Sequence, residues 1–443
     1  MDRRNQPGSK IAIIAIAILV FSILCFGAVE GWSSASLEAS VFILALMWVI
    51  SRKKERLPHL GKEEKYMLIV ILFFITYTLI QMLPFPSAAL KYLSPESFKL
   101  YSFFNVDENP GMSVSLYPYK TQIELLRILT LSLFFLLLSF SIRDTTSIQK
   151  VLKVLCYFGF GLAIFAIIQK ATGTGKIYWF REVPGGNPFG PFVNRNHYAG
   201  LVGMLIPLGI GVAFIRRSRE RKILFGFLSL IMAVSLFLSL SRGGIISFFA
   251  GITVFSLLLL LNRFKTKRIW VSLGTFLFVL FLYLLYLGID PIIERFYGTD
   301  ITTEDRFVIW SGTFKAFKDF YLTGSGLGTF MNVFPLYFPE GIHGLYDHAH
   351  NDYLEFILEA GIIGSALLIL FFIFFIKCMK RGSWSGDNGI IKASLISSIT
   401  TIAVHSIFDF NLHIPSNALM LSAIFGIAVA SSRVGHYKEP RDL

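Results

Sequence analysis

Ile269-Trp270-Val271-Ser272-Leu273-Gly274-Thr275-Phe276-Leu277-Phe278-Val279-Leu280-Phe281-Leu282-Tyr283-Leu284-Leu285-Tyr286-Leu287-Gly288 contains no Asp, Glu, Lys or Arg, and the basic run Arg263-Phe264-Lys265-Thr266-Lys267-Arg268 immediately precedes it. About 20 helical residues are needed to cross a hydrocarbon layer roughly 30 Å thick, and this stretch has that length. Similar runs recur at roughly 11-28, 36-51, 66-84, 120-141, 150-169, 197-215, 223-240, 243-261, 356-377, 390-408 and 414-432. In lipid every backbone N–H and C=O must be satisfied within the segment, which leaves helices as the reading of such runs. The expectation is an all-α polytopic membrane helical bundle of about 12 spans. A large loop, 289-355, separates the ninth span from the tenth.

Composition excludes a water-soluble chain. Of 443 residues, 54% are hydrophobic, 45 are Phe and only 16% are charged. The net charge of +13 would suggest nucleic acid in a soluble protein. Here its placement decides otherwise. Arg3, Arg4 and Lys10, the connectors Arg52 to Lys65, Arg143 to Lys150, Arg216 to Lys222, Arg263 to Arg268 and Lys377 to Arg381, and the tail Arg433 to Arg441 all fall on one side of the spans. The alternate connectors, such as 29-35 and 409-413, are almost free of Lys and Arg. The positive-inside rule then makes both termini cytoplasmic. No nucleic-acid partner is expected. The first run lacks a small-x-small cleavage site and further spans follow it, so it reads as a retained helix. Cys25, Cys156 and Cys378 lie far apart and suggest neither disulfides nor a zinc ligand set.

Four regions on the opposite, outward side hold polar residues that a simple bundle does not need. In 85-118, the prolines and a short amphipathic piece around Pro95 to Phe104 read as an interfacial excursion. In 185-198, Gly and Pro turns lead to Arg195, Asn196 and His197 at the head of the sixth span, where Asn196 can cap the helix and the helix N-terminus favours an anion. Ser241-Arg242-Gly243-Gly244 is the whole turn between two spans. An arginine beside hydrocarbon is costly, and glycines allow a ligand close to the backbone, so Arg242 reads as an anion-binding residue.

The fourth region is 289-355. It holds Arg306 ahead of Trp310, an amphipathic stretch to Phe320, and Gly324-Ser325-Gly326-Leu327-Gly328. That glycine run lacks the spacing of a dinucleotide fingerprint and reads as a tight turn. The region ends in Tyr346-Asp347-His348-Ala349-His350-Asn351-Asp352-Tyr353-Leu354-Glu355. His348, His350 and Asp352 resemble a metal-ligand pattern without an identifiable fourth ligand. Asn351 and Asp352 can cap the tenth span. Imidazole also suits proton transfer near neutral pH, worth roughly 10² to 10⁴ in rate, and acid/base chemistry is the reading preferred here. Asp409, Asn411 and His413, in the last outward turn, are candidates for orienting His350.

His350-Asn351, nine residues, then Gly361-Ile362-Ile363-Gly364 resembles the pattern of the O-antigen ligase and polymerase superfamily, bacterial membrane glycosyltransferases of the GT-C class. The pattern is His, then Asn, Ser or Gln, nine residues, Gly, two residues, and Gly, Thr or Tyr. Asn194 to Gly200, Ser241 to Gly243 and Arg306 ahead of Trp310 are similar to further family landmarks, so the resemblance runs over 190-430 of the single membrane domain 1-443.

The resemblance implies an inverting transfer of a glycan from an undecaprenyl-pyrophosphate carrier to a hydroxyl acceptor at the periplasmic face of the inner membrane. It implies no cofactor and no metal. The acceptor would be lipid A core, another glycan or a protein hydroxyl, in ligase, polymerase or protein O-oligosaccharyltransferase chemistry. His350 would be catalytic and Arg242 and Arg306 would bind the donor pyrophosphate. His348 leaves the identity of the base open, and Arg195 is a further candidate for the pyrophosphate. Asn196, His197, Asn351, Asp352, Asp409 and His413 stand as acceptor or supporting residues. The rival readings are a lipid-linked glycan transporter and a metal-dependent lipid hydrolase.

Overall fold

The structure is a computed structural model that describes residues 7–51, 60–104, 111–262, 264, 267–288, 290–297, 301–338 and 346–434. Its helices are α1 (Pro7–Leu24), α2 (Gly31–Ser51), α3 (Lys62–Met82), α4 (Ser87–Leu93), α5 (Pro95–Phe103), α6 (Pro118–Ser141), α7 (Thr145–Ala171), α8 (Arg195–Ile215) and α9 (Arg219–Leu238). They continue with α10 (Arg242–Leu261), α11 (Lys267–Leu287), α12 (Asp290–Tyr297), α13 (Ile301–Asp319), α14 (Phe330–Val333), α15 (Asp352–Lys380), α16 (Gly386–His405) and α17 (Pro415–Val434). Strand structure among the described residues is limited to isolated bridges.

A helix stands at each of the twelve runs read from the sequence. Among the described residues, ten are long and apolar enough to cross a membrane. The two that fall short do so for different reasons. The apolar part of α1 is brief, whereas α16 carries Lys392, Ser394, Ser397, Ser398, Thr401 and His405, all buried. α16 packs between α8 and α10, so protein rather than lipid surrounds its polar groups. Ser397 Oγ donates to the Gly251 carbonyl at 2.6 Å and Ser398 Oγ to that of Met204 at 2.7 Å. α8 is the centre of the bundle, with nearly every residue buried, while α2, α11 and much of α15 present apolar side chains outward.

The ends of the bundle differ in chemistry. At one end Arg433 pairs with Glu64 at 2.8 Å and bonds the Ser139 carbonyl and hydroxyl, Arg381 pairs with Glu63, and Arg216 bonds Gln149 at 2.9 Å. His197, His348, His350, His405, His413 and Arg242 gather at the other. Of the basic connectors, residues 1–6, 52–59, 263, 265, 266 and 435–443 lie outside the described residues.

The loop between the ninth and tenth spans is largely helical, as α12, α13 and α14; 289, 298–300 and 339–345 lie outside the described residues. The amphipathic piece expected near Pro95 is α5, and Pro110 falls in the undescribed 105–110. Gly324, Gly326 and Gly328 all take positive φ, so the run is the tight turn expected. It also packs against a break in α15 at Gly361, where φ is 62° and ψ is −169°.

Candidate active site

Four segments far apart in sequence meet at the histidine end: the heads of α8, α10 and α15, and the turn 406–414 between α16 and α17. Backbone and amide bonds lock them. Asp352 N–H donates to the Ser406 carbonyl at 2.9 Å. Asn417 Nδ2 donates to the His197 carbonyl at 2.9 Å and to Asn411 Oδ1 at 3.2 Å. Trp310 Nε1 donates to the Ala349 carbonyl at 3.0 Å, which draws α13, and with it Arg306 one turn earlier, onto the segment holding the histidines.

Each helix head is capped by a short polar side chain, though not always the expected one. Asn194, rather than Asn196, caps α8: its Oδ1 accepts from Asn196 N–H at 2.9 Å. The helix begins earlier than expected, so Asn196 already lies in its first turn. Ser241 Oγ accepts from Gly244 N–H at 3.2 Å and starts α10 with Arg242 as its first residue. Asn351 Oδ1 accepts from Tyr353 and Leu354 N–H at 3.0 and 3.1 Å. That frees Asp352 from capping. It turns instead to His413 Nδ1 at 3.0 Å and Leu412 N–H at 3.2 Å.

The two histidines of the 348–350 pair go to different partners. His350 sits in the left-handed region at φ 49°, a conformation that costs a non-glycine residue energy and collects at functional sites. Its Nδ1 lies 3.1 Å from Asp409 Oδ1. Asp409 is 1% exposed against 28% for the His350 ring, so a buried carboxylate holds a partly open imidazole. Burial opposes ionisation of Asp409. The His350 hydrogen bond, together with His197 and Arg306 nearby, nonetheless holds the carboxyl well below the usual range. His197 Nε2 stands 4.0 Å from the same oxygen.

His348 Nδ1 pairs with Glu355 Oε1 at 2.7 Å, and His413 bridges Asp352 through Nδ1 and Glu355 through Nε2 at 3.3 Å. Burial alone would strip the proton from His413, but Glu355 and Asp352 outweigh it and raise its pKa to about 10. An unfolded imidazole titrates near 6.5, so the stabilisation from this imidazolium is complete below about pH 6.5 and is lost as pH rises through about 10. The melting temperature of the detergent-solubilised protein is therefore expected to fall between pH 7 and 10. His413→Gln should flatten that slope; an equal slope in both proteins would reject the assignment.

His348, Glu355 and His413 also form the one group among the described residues with metal-ligand spacing, their donor atoms lying within 4.8 Å of one another. The His348, His350 and Asp352 pattern read from the sequence is not assembled as such. His350 departs to Asp409, and Glu355 takes its place.

Phe410 divides the two groups. Its ring stacks on His348 at 4.2 Å and meets His350 and His197 edge-on at 4.9 and 4.8 Å. Beside Phe410 opens a cavity of about 890 Å³, to whose wall Phe410, His197, His348, Glu355, Glu359 and His413 belong and which His350 does not line. Glu359, itself buried, accepts from Gly328 and Phe330 N–H at 2.9 and 2.8 Å.

Gly243, the residue after Arg242, packs against His405 and Phe408: a Cβ there would lie 2.9 Å from the His405 ring and 3.1 Å from Phe408 Cβ. Gly244 similarly faces Ala199. The glycines of this turn therefore admit neighbouring helices rather than a ligand, which corrects the sequence reading of their purpose. The charge of Arg306 acts on both His405 and Asp409. Arg195 opens α8, donating its backbone N–H to the Asn187 carbonyl at 2.8 Å, and its charge acts on Lys170. Gly361 and Gly364 lie in α15 at and after the break, with Gly364 close under Tyr77 of α3.

Sequence reading passed over Glu355, Glu359, His405 and Phe410. The two glutamates had a signal: carboxylates inside an otherwise apolar span face a partner or a cavity. Phe410, one of 45 phenylalanines, had none.

No curated protein matches the chain. The family model described as O-antigen ligase matches residues 227–369, about a third of the length. Arg242, Arg306, His348, His350, Gly361 and Gly364 fall inside that stretch, and His197, Asp409 and His413 outside it. The chain is thus a polytopic helical membrane protein whose residues 227–369, from within α9 into α15, are similar to the O-antigen ligase family.

Proposed function

We propose that this is an inverting glycosyltransferase of surface-polysaccharide assembly. It moves a glycan from an undecaprenyl-pyrophosphate carrier to a hydroxyl acceptor, as a ligase, on the periplasmic face of the inner membrane. The family match supports a membrane enzyme of this kind, and the segregation of basic connectors supports the orientation. The observation that carries the mechanism is the His350–Asp409 pair at 3.1 Å, at the bundle end where Arg242 begins α10.

Asp409 accepts from His350 Nδ1–H, which fixes the tautomer and leaves Nε2 as the base. Nε2 takes the acceptor hydroxyl proton as that oxygen forms a bond to the anomeric carbon. The bond from that carbon to the pyrophosphate oxygen breaks, and the electron pair leaves with undecaprenyl pyrophosphate. Attack in line with departure inverts the centre. Arg242 and Arg306 neutralise the leaving group. One unit-charge pair at 4 Å contributes about 4 kcal/mol at an effective dielectric near 20. Of the two histidines, His350 is assigned as the base because it stands at the motif position with Asp409 as its carboxylate partner, whereas the partner of His348, Glu355, is shared with His413. Neither role requires a metal.

Purified protein incubated with lipid-linked oligosaccharide, a chelator and each acceptor in turn tests this reading. One fixed addition marks a ligase, and a ladder marks a polymerase. Arg306→Gln and Arg242→Gln should each raise the donor KM by about tenfold or more, as loss of a charge-assisted contact worth roughly 1.5 to 3 kcal/mol requires. An unchanged dependence on donor concentration would remove them from the donor site.

A further inference from the structure

We infer that the 890 Å³ cavity beside Phe410 is the acceptor site, that it takes a carbohydrate, and that the segments before the family-matched region set its selectivity. The inference rests on the reading above and adds to it where the second substrate lies and what chemistry recognises it.

The cavity has two walls of different origin, joined by Phe410, His413, Ile414 and Pro415, which lie beyond the matched region. One comes from the matched region and holds His348, Glu355 and Glu359. The other comes from the connector of α1 and α2, the first turns of α6, and the loop 181–194, all before residue 227. Arg242 and Arg306, the proposed donor arginines, are on neither wall. A ligand here is therefore not the pyrophosphate.

Its chemistry follows from how the charged groups of the walls are paired. Arg181 pairs with Glu30, Arg127 with Glu124 at 2.9 Å, and Lys176 with Glu182 at 2.7 Å. On the inner wall, His413 is shared by Asp352 and Glu355. Asp347 and Glu359 add two further acidic side chains and Lys120 one basic one, so the lining holds more acids than bases: a concave surface dense in planar donors and acceptors that disfavours an anion. Such a surface suits a neutral, hydroxyl-rich ligand better than an apolar chain or an anion, because each guanidinium or carboxylate edge can bond two adjacent hydroxyls. Phe330 and Phe410 supply apolar faces for the rings. One donor in this wall is still unspent. Arg127 Nε is buried with no hydrogen-bond partner, and a buried donor left so requires a ligand or water to satisfy it. The bound sugar's reacting hydroxyl reaches His350 past Phe410, whose ring centre is 4.9 Å from the imidazole.

The experiment uses the full-length protein in detergent with lipid-linked oligosaccharide as donor, offering the deglycolipidated core oligosaccharide and a serine-containing peptide as alternative acceptors. The oligosaccharide alone is expected to bind by calorimetry without donor. Arg127→Gln should raise its KM about tenfold, the loss of one hydrogen bond to a charged group, while kcat and donor KM stay within about twofold. Ser34→Trp, which fills the cavity from α2, should do the same; a melting temperature measured for each variant identifies one that fails to fold, in which case the other decides. An acceptor KM unmoved in a folded variant, an equal rise in donor KM, or use of the peptide in place of the oligosaccharide would each overturn the inference. Loss of transfer in His350→Ala alongside such a result would leave the proposed reaction standing and sink only this site.

Discussion

His350→Ala is expected to lower the transfer rate by about 10² to 10⁴, the range over which a positioned general base acts, with expression and membrane insertion unchanged. That is roughly 3 to 5 kcal/mol of transition-state stabilisation. The side chain is partly exposed and its ring is held at the edge of Phe410 and by one hydrogen bond to Asp409. Its removal therefore leaves little cavity and few orphaned groups behind. Asp409→Asn separates the two functions of the pair. The amide can still fill the volume, but its carbonyl oxygen is a weaker acceptor and its NH₂ competes for the same nitrogen, so the ring loses its enforced tautomer. A smaller loss than that of His350→Ala is expected, with donor KM little changed. Single-turnover transfer from lipid-linked oligosaccharide measures both. Full activity in His350→Ala would reject the general-base role; full activity in Asp409→Asn would show that the carboxylate only anchors the turn.

The architecture was legible because its signal is one-dimensional. Runs of about 20 apolar residues have to be helices in lipid, and Ile269 to Gly288 could be read without knowing its neighbours. The site was legible only in part. His350, Arg242 and Arg306 stood out as polar residues where the bundle did not need them. Their partners did not, since the pairing of His350 with Asp409 spans 59 residues and depends on the turn after α16 folding back onto the head of α15. Gly243 misled for the same reason: a glycine beside an arginine has the same local sequence whether a ligand or His405 fills the space above it. Asn194 and Asn196 are both acceptable caps, and choosing between them needed the position of the first helical turn. The cavity was beyond reach, because one of its walls comes from α2, α6 and the loop 181–194 and the other from Gly328 onward.

Gly361→Ala is expected to cost more stability than any single substitution in the histidine cluster, and to abolish transfer without touching a reacting group. At φ 62° and ψ −169° Gly361 occupies a region that residues with a Cβ essentially avoid, at about 1 to 3 kcal/mol of backbone strain. The added methyl would also stand 2.5 Å from Leu322 O and from Gly324 N. Both are backbone atoms, and neither can rotate away. What makes the break worth keeping is what it holds. The segment 321–326 inserts into it, with Ser325 N–H donating to the Leu358 carbonyl at 3.0 Å, Gly326 N–H to that of Glu359 at 3.1 Å, and Ile362 N–H to that of Tyr321 at 2.8 Å. From α3, Tyr77 OH reaches the Ala360 carbonyl at 2.8 Å. The Leu358, Glu359 and Ala360 carbonyls and the Ile362 N–H at the break are thereby re-satisfied, as burial within a bundle demands. The portion of α15 above the break carries Asp352, Glu355 and Glu359, so straightening it swings all three off His348, His413 and the 328–330 backbone. Gly274→Ala in α11, where a Cβ meets nothing within 4 Å, is the control and should leave melting and transfer unchanged. A Gly361→Ala protein that melts and transfers like wild type would mean that the head of α15 is positioned by its loop alone.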